Sequence, residues 1–478
     1  MTILIHNFSE YKKHGEKIMS IHYKKSLFIF RRDLRIEDNT ALIEAARASA
    51  IIVPCFIFDP RQVSDSNEYK SENCIQFMVE SLLDLDKQLK KHGAHLYIFH
   101  GHAEDMVAHL IKEEKIEALF CNRDYTPFSS ARDKAMRAIC IQSKVAFHQY
   151  ADALLHEPEE VKTGSGNPYL MFTPFLKQAR GTLTVREPQK LPKITFYTKK
   201  ISLAQPESLY KKIAPVKNKE IAVCGGRSEA LTLMKNLEHY KNYEKERNLP
   251  ALNATTHLSA HNKFGTVSIR EVYHAIGKKL GRSHTLIQEL YWRDFFTHIA
   301  FHFMAVFGHS FKKKYEKLSW KNNKKQFDAW CSGKTGFPIV DAGMRELNAT
   351  GYMHNRVRMI VASFLVKDLH IDWRWGEKYF AQKLVDYDPA VNNGNWQWVA
   401  STGCDAQPYF RIFNPWLQQK KFDVECLYIK KWIPELQSLA PKIIHTWFKN
   451  SASLPNYPKP IVDHTQEALV TKKMYKQV

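Results

Sequence analysis

The first part of the chain alternates short apolar runs with amphipathic stretches. The apolar runs are SLFIF (26–30), AIIVPCFIF (50–58), AHLYIFH (94–100) and IEALFC (116–121), and segments such as CIQFMVESLLDLDKQLKKHG separate them. Buried strands that alternate with helices are typical of a parallel, doubly wound sheet. The pattern therefore predicts an α/β domain over residues 26–150. Its sequence has neither a G-x-G-x-x-G nor a Walker loop, which argues against an ordinary NAD or ATP site.

The pattern changes after residue 150. Residues 151–225 are richer in Pro, Lys and Gly and show little sustained periodicity, so they are predicted to be a long interdomain connection. From residue 226 to about 450, apolar residues recur at helical spacing and strand signals nearly vanish, which predicts an all-α second domain. Residues 1–25 are interpreted as an N-terminal extension and residues 451–478 as a polar, basic tail.

Charge and cysteine content narrow the class of protein. The chain has 70 Lys and Arg against 49 Asp and Glu, a formal net charge of +21, and this surplus favours a polyanionic partner such as nucleic acid. The 8 cysteines are scattered, without a C-x-x-C pair or zinc-ligand spacing, as expected of reduced thiols in a cytoplasmic protein. No apolar run reaches the length of a membrane span.

Two helical stretches of the second domain place reactive side chains on shared faces. In QELYWRDFF, a carboxylate, an indole and a guanidinium (Glu289, Trp292 and Arg293) lie at i, i+3 and i+4. A surface Glu–Arg pair beside a core Trp is the simpler interpretation of this segment alone. In YMHNRVRMIVASFLVKD, Asn355 and Met359 lie one turn apart. An amide, a thioether and guanidinium groups at the start of a largely apolar helix suit a cavity for an anionic or heterocyclic ligand.

A third stretch, LVDYDPAVNNGNWQWV, leaves several alternatives open. Asp386 and Asp388 could be metal ligands, an acid–base couple or caps of the next helix. The Asn-Asn-Gly-Asn run that follows is predicted to be a loop by its composition. Trp396 and Trp398, directly after it, are typical of a hydrophobic core unless other residues indicate a site.

Longer motifs carry a resemblance to a known family. They are FIFRRDLRIEDNTAL, TTHLSAHNKFGTVSIR, QELYWRDFF, KTGFPIVDAGMRELNATGYMHNRVRMIVASFLVKDLHIDWRWGE and NGNWQWVASTGCDAQPYFRIFNP. From about residue 26 to 423 the chain resembles the photolyase/cryptochrome flavoproteins, most of all the class I photolyases that act on cyclobutane pyrimidine dimers. The resemblance implies an N-terminal α/β domain and a C-terminal helical domain that binds FAD.

The resemblance also implies which residues hold the flavin. Asn392 matches the asparagine that faces the flavin N5 in photolyases, where a neutral amide suits reduced flavin because it need not deliver a proton. The implied FAD-binding residues are Tyr243, Thr255, Thr256, His257, Leu258, Ser259, Arg293, Arg358, Asp386, Tyr387, Asp388 and Asn392.

An electron chain is implied by three tryptophans. Trp396 resembles the member nearest to the flavin, Trp373 the middle member and Trp320 the member at the surface. Trp398 is instead expected to form a wall of the substrate pocket opposite Trp292. We hypothesise that residues 396–398 are extended, so that the two neighbouring indoles point to opposite sides.

The implied activity is light-driven repair of cyclobutane dimers in damaged DNA, by electron transfer from FAD to a flipped-out dimer. The implied catalytic residues are Glu289, Asn355, Met359 and Asn392. In (6-4) photolyases a pair of histidines takes the positions of Asn355 and Met359. This chain lacks both histidines, which argues against repair of (6-4) lesions. The implied DNA-binding residues are Arg247, Glu289, Trp292, Asn355, Arg356, Trp398, Arg411 and Gln418. We expect a monomer without a metal site.

Other interpretations remain open. A cryptochrome-type photoreceptor would keep FAD and the tryptophan chain without repairing DNA; a DASH-type member would favour single-stranded substrate; and a non-enzymatic DNA-binding module would bind no flavin. A second, antenna chromophore is possible in this family, either folate or deazaflavin. The segment NRDYTPFSSARD has Phe128 and Ser129 where folate-binding members carry an Asn-Glu pair, which argues against folate without identifying another chromophore.

Overall fold

The structure, a computed structural model, describes residues 22–450 and 456–478. Most of the predicted N-terminal extension lies outside the described residues, as do residues 451–455 of the predicted tail. The first part of the chain forms a five-stranded parallel sheet in the order β3-β2-β1-β4-β5. The strands are β1 (Tyr23–Phe30), β2 (Ser49–Phe58), β3 (Tyr97–His100), β4 (Ala118–Asn122) and β5 (Ala146–Tyr150).

All four predicted apolar runs form strands. The fifth strand, β5, was not predicted, because its sequence AFHQY is polar at two of five positions and remains half-buried at the edge of the sheet.

Helices cover both faces of the sheet, as the doubly wound prediction requires. Alternate side chains of β1 point to opposite faces, so Phe28 packs in one core and Leu27 in the other. The first core is completed by α1 and α3, and the second by α4 and α5. The helices of this domain are α1 (Thr40–Ala48), α2 (Pro60–Val63), α3 (Glu72–Lys90), α4 (Ala103–Glu114) and α5 (Pro127–Gln142).

Residues 151–225 contain two helices, α6 (Phe172–Thr182) and α7 (Ser208–Ile213), between irregular segments. Phe196 joins the sheet: the backbone N–H of Ile52 donates to Thr195 at 2.9 Å, and that of Tyr197 donates to Ile52 at 2.8 Å. By contrast, α6 buries Phe172 in the core of the helical domain. This segment therefore packs on both domains instead of only spanning the distance between them.

From residue 226 onward the described residues form helices and no strand, as predicted. The α-helices are α8 (Arg227–Lys235), α9 (Tyr243–Glu246), α10 (Ser259–Phe264), α11 (Ile269–Leu280), α12 (Thr285–His302), α13 (Lys324–Cys331), α14 (Pro338–Thr350), α15 (Asn355–Ser363), α16 (Trp373–Lys383), α17 (Pro389–Val399), α18 (Pro415–Phe422), α19 (Leu427–Trp432), α20 (Pro441–His445), α21 (Trp447–Asn450) and α22 (His464–Lys476). A π-helical turn (Phe364–Asp368) follows α15, and 3-10 turns lie at Leu237–Tyr240, Met304–Val306, Lys313–Lys317 and Pro434–Leu436.

The C-terminal segment differs from the polar tail that its composition predicts. Asp463 caps α22, and Thr471 and Tyr475, one turn apart, are buried against the rest of the domain. Only these two residues of α22 are buried, and lysines occupy much of the rest of its last two turns. The segment therefore shows little apolar periodicity from which a packed helix could be predicted. No described helix combines the length and the apolar character needed to cross a membrane.

Candidate active site

Helix α12 carries the first group of predicted site residues. Glu289, Trp292 and Arg293 lie on it at the predicted helical spacing, and all three are half-buried. The Glu289 carboxylate forms a short ion pair with Arg247, which follows α9. Burial raises the pKa of Glu289, although Arg247 acts in the opposite direction. The simple helix-surface pair between Glu289 and Arg293 is therefore not formed; each of these side chains has another partner.

Arg293 points away from Glu289 and toward the first domain. Its guanidinium donates to the backbone oxygen of Ala153 at 2.7 Å and to that of Asn262 at 3.3 Å. It thus links α12 to the segment that leaves the α/β domain and to α10.

Two aromatic side chains pack against Trp292: Phe172 of α6 and Phe296 of its own helix. The Phe172 ring of α6 stacks on its indole, with 3.5 Å between ring centroids and 10° between planes. Phe296, one turn further along α12, lies 5.6 Å from Trp292. Phe172 comes from a segment without sequence periodicity and lies far from Trp292 in the chain, so only the tertiary structure reveals the pair.

Helix α15 carries the second group. Asn355 is exposed at its first position, and its amide nitrogen lies 3.9 Å from the Met359 sulfur. Arg356 donates to the Asn248 side-chain oxygen at 2.7 and 3.1 Å, and its guanidinium lies 4.6 Å from the Phe422 ring of α18. Because Asn248 follows Arg247 in the chain, the partners of Glu289 and Arg356 are adjacent residues.

Arg358 lies on the inner side of α15. It forms an ion pair with Asp386 through contacts of 3.2 and 3.0 Å and donates to the Met353 backbone oxygen at 2.7 Å. The Tyr352 ring lies 5.3 Å from its guanidinium and 4.7 Å from the His257 ring. Thr255 reaches the same tyrosine, with 3.4 Å between hydroxyl oxygens.

Residues 255–259, which the resemblance implies to be FAD-binding, therefore meet the Arg358–Asp386 pair at Tyr352. Within the stretch, the Thr256 hydroxyl accepts a hydrogen bond from the backbone N–H of Leu258 at 3.4 Å, and Ser259 begins α10. Tyr243 is buried at the start of α9, beside Arg247.

Residues 386, 387 and 388 have three different environments. Asp386 pairs with Arg358, as described. Tyr387 lines a cavity of about 200 Å³ at the carboxyl ends of β1 and β2. Asp388 forms a short ion pair with Arg32, which follows β1, and caps α17 by accepting from the backbone N–H groups of residues 390 and 391. Capping is one of the roles left open by the sequence.

Helix α17 contains the Asn-Asn-Gly-Asn run and both tryptophans. The prediction of a loop at this run is wrong, and so is the hypothesis that residues 396–398 are extended. Two positions along an α-helix still turn a side chain by roughly 200°. Trp396 is therefore buried, at 2% exposure, whereas Trp398 on the other side is half-buried.

Tertiary contacts explain the composition of the run. The Asn393 amide donates to the Val306 backbone oxygen and to the Glu377 carboxyl group, both at 3.0 Å. The Asn392 amide donates to the Glu377 backbone oxygen, also at 3.0 Å. At Gly394 a β-carbon would lie only 2.1 Å from the Phe296 ring. These residues fit neighbouring elements and do not form a turn.

The three tryptophans of the predicted chain belong to one hydrophobic core. Trp396 and Trp373 are fully buried in it, and the half-buried Trp320 packs on its edge. Trp396 also contacts Phe380 and Trp330, at 4.9 and 6.2 Å between ring centroids. Gly376 of α16 allows this approach, since a β-carbon there would lie 2.2 Å from the Trp396 ring.

The two remaining predicted DNA contacts lie near α18. Arg411 is exposed just before this helix, and Gln418 is half-buried on it, one turn from Phe422. Arg356 touches the same helix through Phe422. The structure therefore brings Arg247, Glu289 and Arg356 together through residues 247 and 248. Asn355 precedes Arg356 on α15, Gln418 lies on the helix that Arg356 contacts, and Arg411 lies outside these contacts.

Comparisons with known proteins agree with this architecture. Residues 26–194 match the family described as DNA photolyase, and residues 286–477 match the FAD binding domain of DNA photolyase. A deoxyribodipyrimidine photo-lyase of Agrobacterium fabrum is 38% identical over 471 residues, covering 93% of this chain and 96% of that protein. The crystal structure of an archaeal photolyase from Sulfolobus tokodaii with two FAD molecules is 43% identical, with a TM-score of 0.86, and covers 95% of this chain and 100% of that chain. A Synechocystis cryptochrome structure is 27% identical, with a TM-score of 0.86 and coverage of 95% and 99%.

The fold, an α/β domain followed by a helical FAD-binding domain, defines a flavoprotein of the photolyase and cryptochrome class. Within that class, this chain belongs to the DNA photolyase family.

The residues near Tyr352 fit FAD. Among the described residues, the buried Asn262 Oδ1 and His257 Nδ1 have no protein partner, so a polar ligand is needed to satisfy them. The Thr255 hydroxyl and the Arg358 guanidinium supply further donors beside Tyr352, and the Asn392 amide supplies one on α17. This donor set suits a ligand that combines phosphate groups with a polar heterocycle.

Proposed function

We propose that this protein repairs cyclobutane pyrimidine dimers in DNA in a light-driven reaction, with FAD as its cofactor. The observation that carries the proposal is the pair of adjacent residues at 247 and 248. Arg247 holds the Glu289 carboxylate of α12, and Asn248 holds the Arg356 guanidinium of α15. These two contacts bring the acidic and the basic residues of the proposed substrate site to one place.

The substrate site is proposed to lie between α12 and α15. A dimer of this type has apolar faces and polar carbonyl and N–H edges. Glu289 and Asn355 offer a carboxyl and an amide group to the polar edges, while Met359 and the indoles of Trp292 and Trp398 offer apolar contact. No nucleophile is needed, because one electron lent to the dimer opens its bonds, and that electron is returned after they have opened.

FAD, when bound, supplies the light-activated electron for this reaction. The Arg358–Asp386 pair, the Asn392 amide and residues 255–259 are proposed to bind it, together with Tyr243, Arg293, Tyr387 and Asp388. Asn392 is fixed by the Glu377 backbone and is neutral at every pH, so it orients the ligand without delivering a proton. Asp388 already holds Arg32 and the start of α17, so its contribution is to position this helix.

The tryptophan series is proposed to keep the flavin reduced. Trp396, Trp373 and Trp320 share one core that reaches from a fully buried indole to a half-buried one. An electron can therefore enter at Trp320 and move inward through aromatic rings.

Duplex DNA is proposed to bind over the same face of the helical domain. The cationic groups proposed to contact it are Arg247 and Arg356, with Gln418 as a further polar contact and Arg411, exposed before α18, as a more distant one. Arginine side chains at this position would hold phosphates on either side of the flipped-out dimer.

The cavity lined by Tyr387 is proposed to hold the second chromophore. Its lining combines aromatic side chains, among them Phe30, Phe58 and Tyr387, with charged ones that include Arg132. Arg132 Nη2 is buried without a partner among the described residues, so an occupant with a hydrogen-bond acceptor would satisfy it. Mass spectrometry of the chromophores released from purified protein tests this proposal. An Arg132→Leu variant that retains the second chromophore in full would contradict it.

The protein is further proposed to act as a monomer in the cytoplasm. Light scattering during size-exclusion chromatography tests the first statement, and fluorescence microscopy of a tagged chain tests the second.

The deciding experiment is a blue-light repair assay of the photoreduced protein on duplexes with either a cyclobutane dimer or a (6-4) lesion. Repair of the cyclobutane dimer alone supports the proposal. We expect Glu289→Gln to lower its rate, whereas Glu68→Gln, an exposed surface change, leaves the rate unchanged. Repair of neither lesion by flavin-loaded protein would contradict the proposal and leave a cryptochrome-type light sensor.

A further inference from the structure

Trp320, the outermost tryptophan of the proposed chain, lies in a segment rich in lysine. Residues 312–325 contain seven lysines, one glutamate and no arginine. The glutamate, Glu316, is bound by the Arg374 guanidinium through contacts of 2.7 and 2.9 Å, so its negative charge is already matched. The segment around Trp320 therefore carries a net positive charge.

Helix α22 adds a second basic segment next to the first. Its Tyr475 ring lies 6.4 Å from the Trp320 ring and 5.4 Å from the Tyr315 ring, between centroids. These contacts place the last turns of α22, with three exposed lysines at 472, 473 and 476, against residues 312–325. We call the exposed lysines of residues 313–325 and 472–476 the lysine surface.

Most of the charge on the lysine surface is uncompensated. Lys321 pairs with Glu467 at 2.9 Å, and Lys324 forms a short ion pair with Asp328. The other lysines of this surface form no ion pair with any residue that the structure describes. Their charge is therefore available to attract an acidic molecule.

Apolar side chains lie between these lysines. Trp320 is half-buried, and the half-buried Met474 and Val478 of α22 pack in the same small cluster. Val470, one turn before Met474, is 40% exposed. Protein–protein interfaces commonly combine an apolar centre with a polar rim. Here an indole that is proposed to be oxidised lies within such an arrangement.

We propose that the lysine surface is the docking site of a small, acidic one-electron carrier protein that reduces Trp320. The inference rests on the tryptophan chain of the proposed function and adds a partner to it. The radical cation of Trp320 gains one electron and becomes neutral Trp320, while the reduced carrier loses that electron. No proton moves, and the total charge is unchanged.

The choice of cation favours a protein partner over a nucleic acid. The proposed DNA face uses arginines held by neighbours, Arg247 by Glu289 and Arg356 by Asn248, and a fixed guanidinium suits phosphate recognition. The lysine surface has flexible, strongly hydrated point charges and no arginine. Such charges speed the encounter more than they strengthen the complex, as suits the small, transient interfaces of electron carriers.

Laser-flash absorption on flavin-loaded wild-type protein is the first test. The probes are reduced plastocyanin, an acidic copper protein, and reduced cytochrome c, a basic haem protein of similar size. We expect plastocyanin to shorten the life of the tryptophan radical about tenfold or more relative to cytochrome c at low salt, and added salt to remove most of this difference. Equal rates with the two carriers would overturn the inference.

Variants with equal net charge separate the lysine surface from the overall charge of the protein. One variant combines Lys314→Ala, Lys317→Ala, Lys473→Ala and Lys476→Ala. Its matched control removes four exposed lysines of the first domain and the segment after it, through Lys87→Ala, Lys112→Ala, Lys134→Ala and Lys212→Ala. The rate with plastocyanin should fall about tenfold in the first variant and less than twofold in the control. Equal losses would assign the effect to net charge and overturn the docking site.

Binding is measured in the dark by nuclear magnetic resonance of isotope-labelled plastocyanin. Wild-type protein and the control variant should shift the signals of its acidic residues, and the lysine-surface variant should shift them much less. An absence of shifts with wild-type protein, or equal shifts with the two variants, would contradict docking at the lysine surface.

The remaining failures are distinguishable. No tryptophan radical in the wild type would overturn the tryptophan chain and the inference with it. A radical that plastocyanin reduces equally fast in both variants would overturn the inference alone. Undamaged duplex DNA is the alternative occupant, and it should bind both variants with equal affinity. Weaker binding to the lysine-surface variant would make this surface part of the DNA face and overturn the inference.

Discussion

Gly394 of α17 lies so close to Phe296 of α12 that a β-carbon would be 2.1 Å from the phenyl ring. The contact joins the helix that carries Trp292 to the helix that carries Trp396 and Trp398. We expect Gly394→Ala to destabilise the protein by about 1–3 kcal/mol, because the clash outweighs the better helix propensity of alanine. Urea unfolding measures the change in free energy.

Gly277 provides a matched control for this prediction. It also lies inside a helix, α11, but its β-carbon would meet only the flexible Arg282 side chain at 3.4 Å. Gly277→Ala should therefore gain up to about 1 kcal/mol. Equal effects at the two glycines would show that the contact with Phe296 is unimportant.

Phe172 is predicted to hold Trp292 in place for the substrate. The two rings stack at 3.5 Å, and such a pair contributes about 0.5–1.5 kcal/mol beyond the area it buries. Phe172→Leu should therefore weaken binding of dimer-containing DNA by roughly two- to tenfold. Fluorescence anisotropy with a labelled duplex measures this, and Phe175→Leu on the same helix is the control, since Phe175 contacts Phe295 instead. Equal losses in both variants would argue for a general packing effect.

Arg356 is predicted to contact a DNA phosphate. Arg356→Ala should weaken binding of all duplexes and reduce the slope of log affinity against log salt by about one. Arg47→Ala, which removes an exposed arginine from the α/β domain, should leave the slope as it is. An unchanged slope in Arg356→Ala would mean that this arginine only links Asn248 to α18.

Trp396, and not the neighbouring Trp330, is predicted to carry the electron inward. Light-driven reduction of bound flavin, followed by absorbance in the presence of an external thiol, should be lost in Trp396→Phe. Trp330→Phe removes a buried indole 6.2 Å away and should retain the reaction. The reverse result would assign the electron path to Trp330 and the rings around it.

Glu377 is predicted to make stability depend on pH. Burial raises the pKa of this carboxyl group to about 7, and it accepts a hydrogen bond from Asn393. Between the unfolded pKa of about 4.3 and the folded value, the folded state keeps a proton that the unfolded chain has released, so stability falls as pH rises through this window. The loss contributed by Glu377 is at most about 4 kcal/mol.

Unfolding free energies at pH 5 and pH 8 test this effect. Glu377→Gln keeps an oxygen for Asn393 but cannot ionise, so its stability should change less with pH than that of the wild type. Glu68→Gln, at an exposed carboxylate, should follow the wild-type profile. Parallel profiles for all three proteins would contradict the prediction.

The sequence predicted the features that depend on long apolar patterns. Four strands and the change to helices after residue 226 could be predicted because each segment has enough apolar residues, in runs or at helical spacing, to show the pattern without its tertiary neighbours. It missed β5 and α22, because an edge strand and a helix with two anchoring residues bury too little to show a periodic pattern. Composition also misled at residues 392–395, where asparagine and glycine fit tertiary neighbours inside a helix.

The residues of the site could be predicted from motifs, but the contacts between their side chains could not. Motifs indicated Glu289, Arg358 and Asp386, but not that Glu289 pairs with Arg247 or that Asp388 pairs with Arg32. Those partners lie 42 and 356 positions away in the chain, and local spacing carries no information about them. Phe172 escaped notice for the same reason, since an isolated aromatic residue has no signature until the fold supplies its neighbours.

The turn at residues 386–388 connects the proposed FAD site and the cavity of the α/β domain through one short piece of backbone. Asp386 faces the Arg358 side, and the next residue, Tyr387, lines the cavity of the α/β domain. A single insertion or deletion there would shift both linings at once, so neither pocket can be remodelled through this turn independently of the other. Attempts to redesign one chromophore site should therefore begin from the opposite walls of each cavity and leave these three residues unchanged.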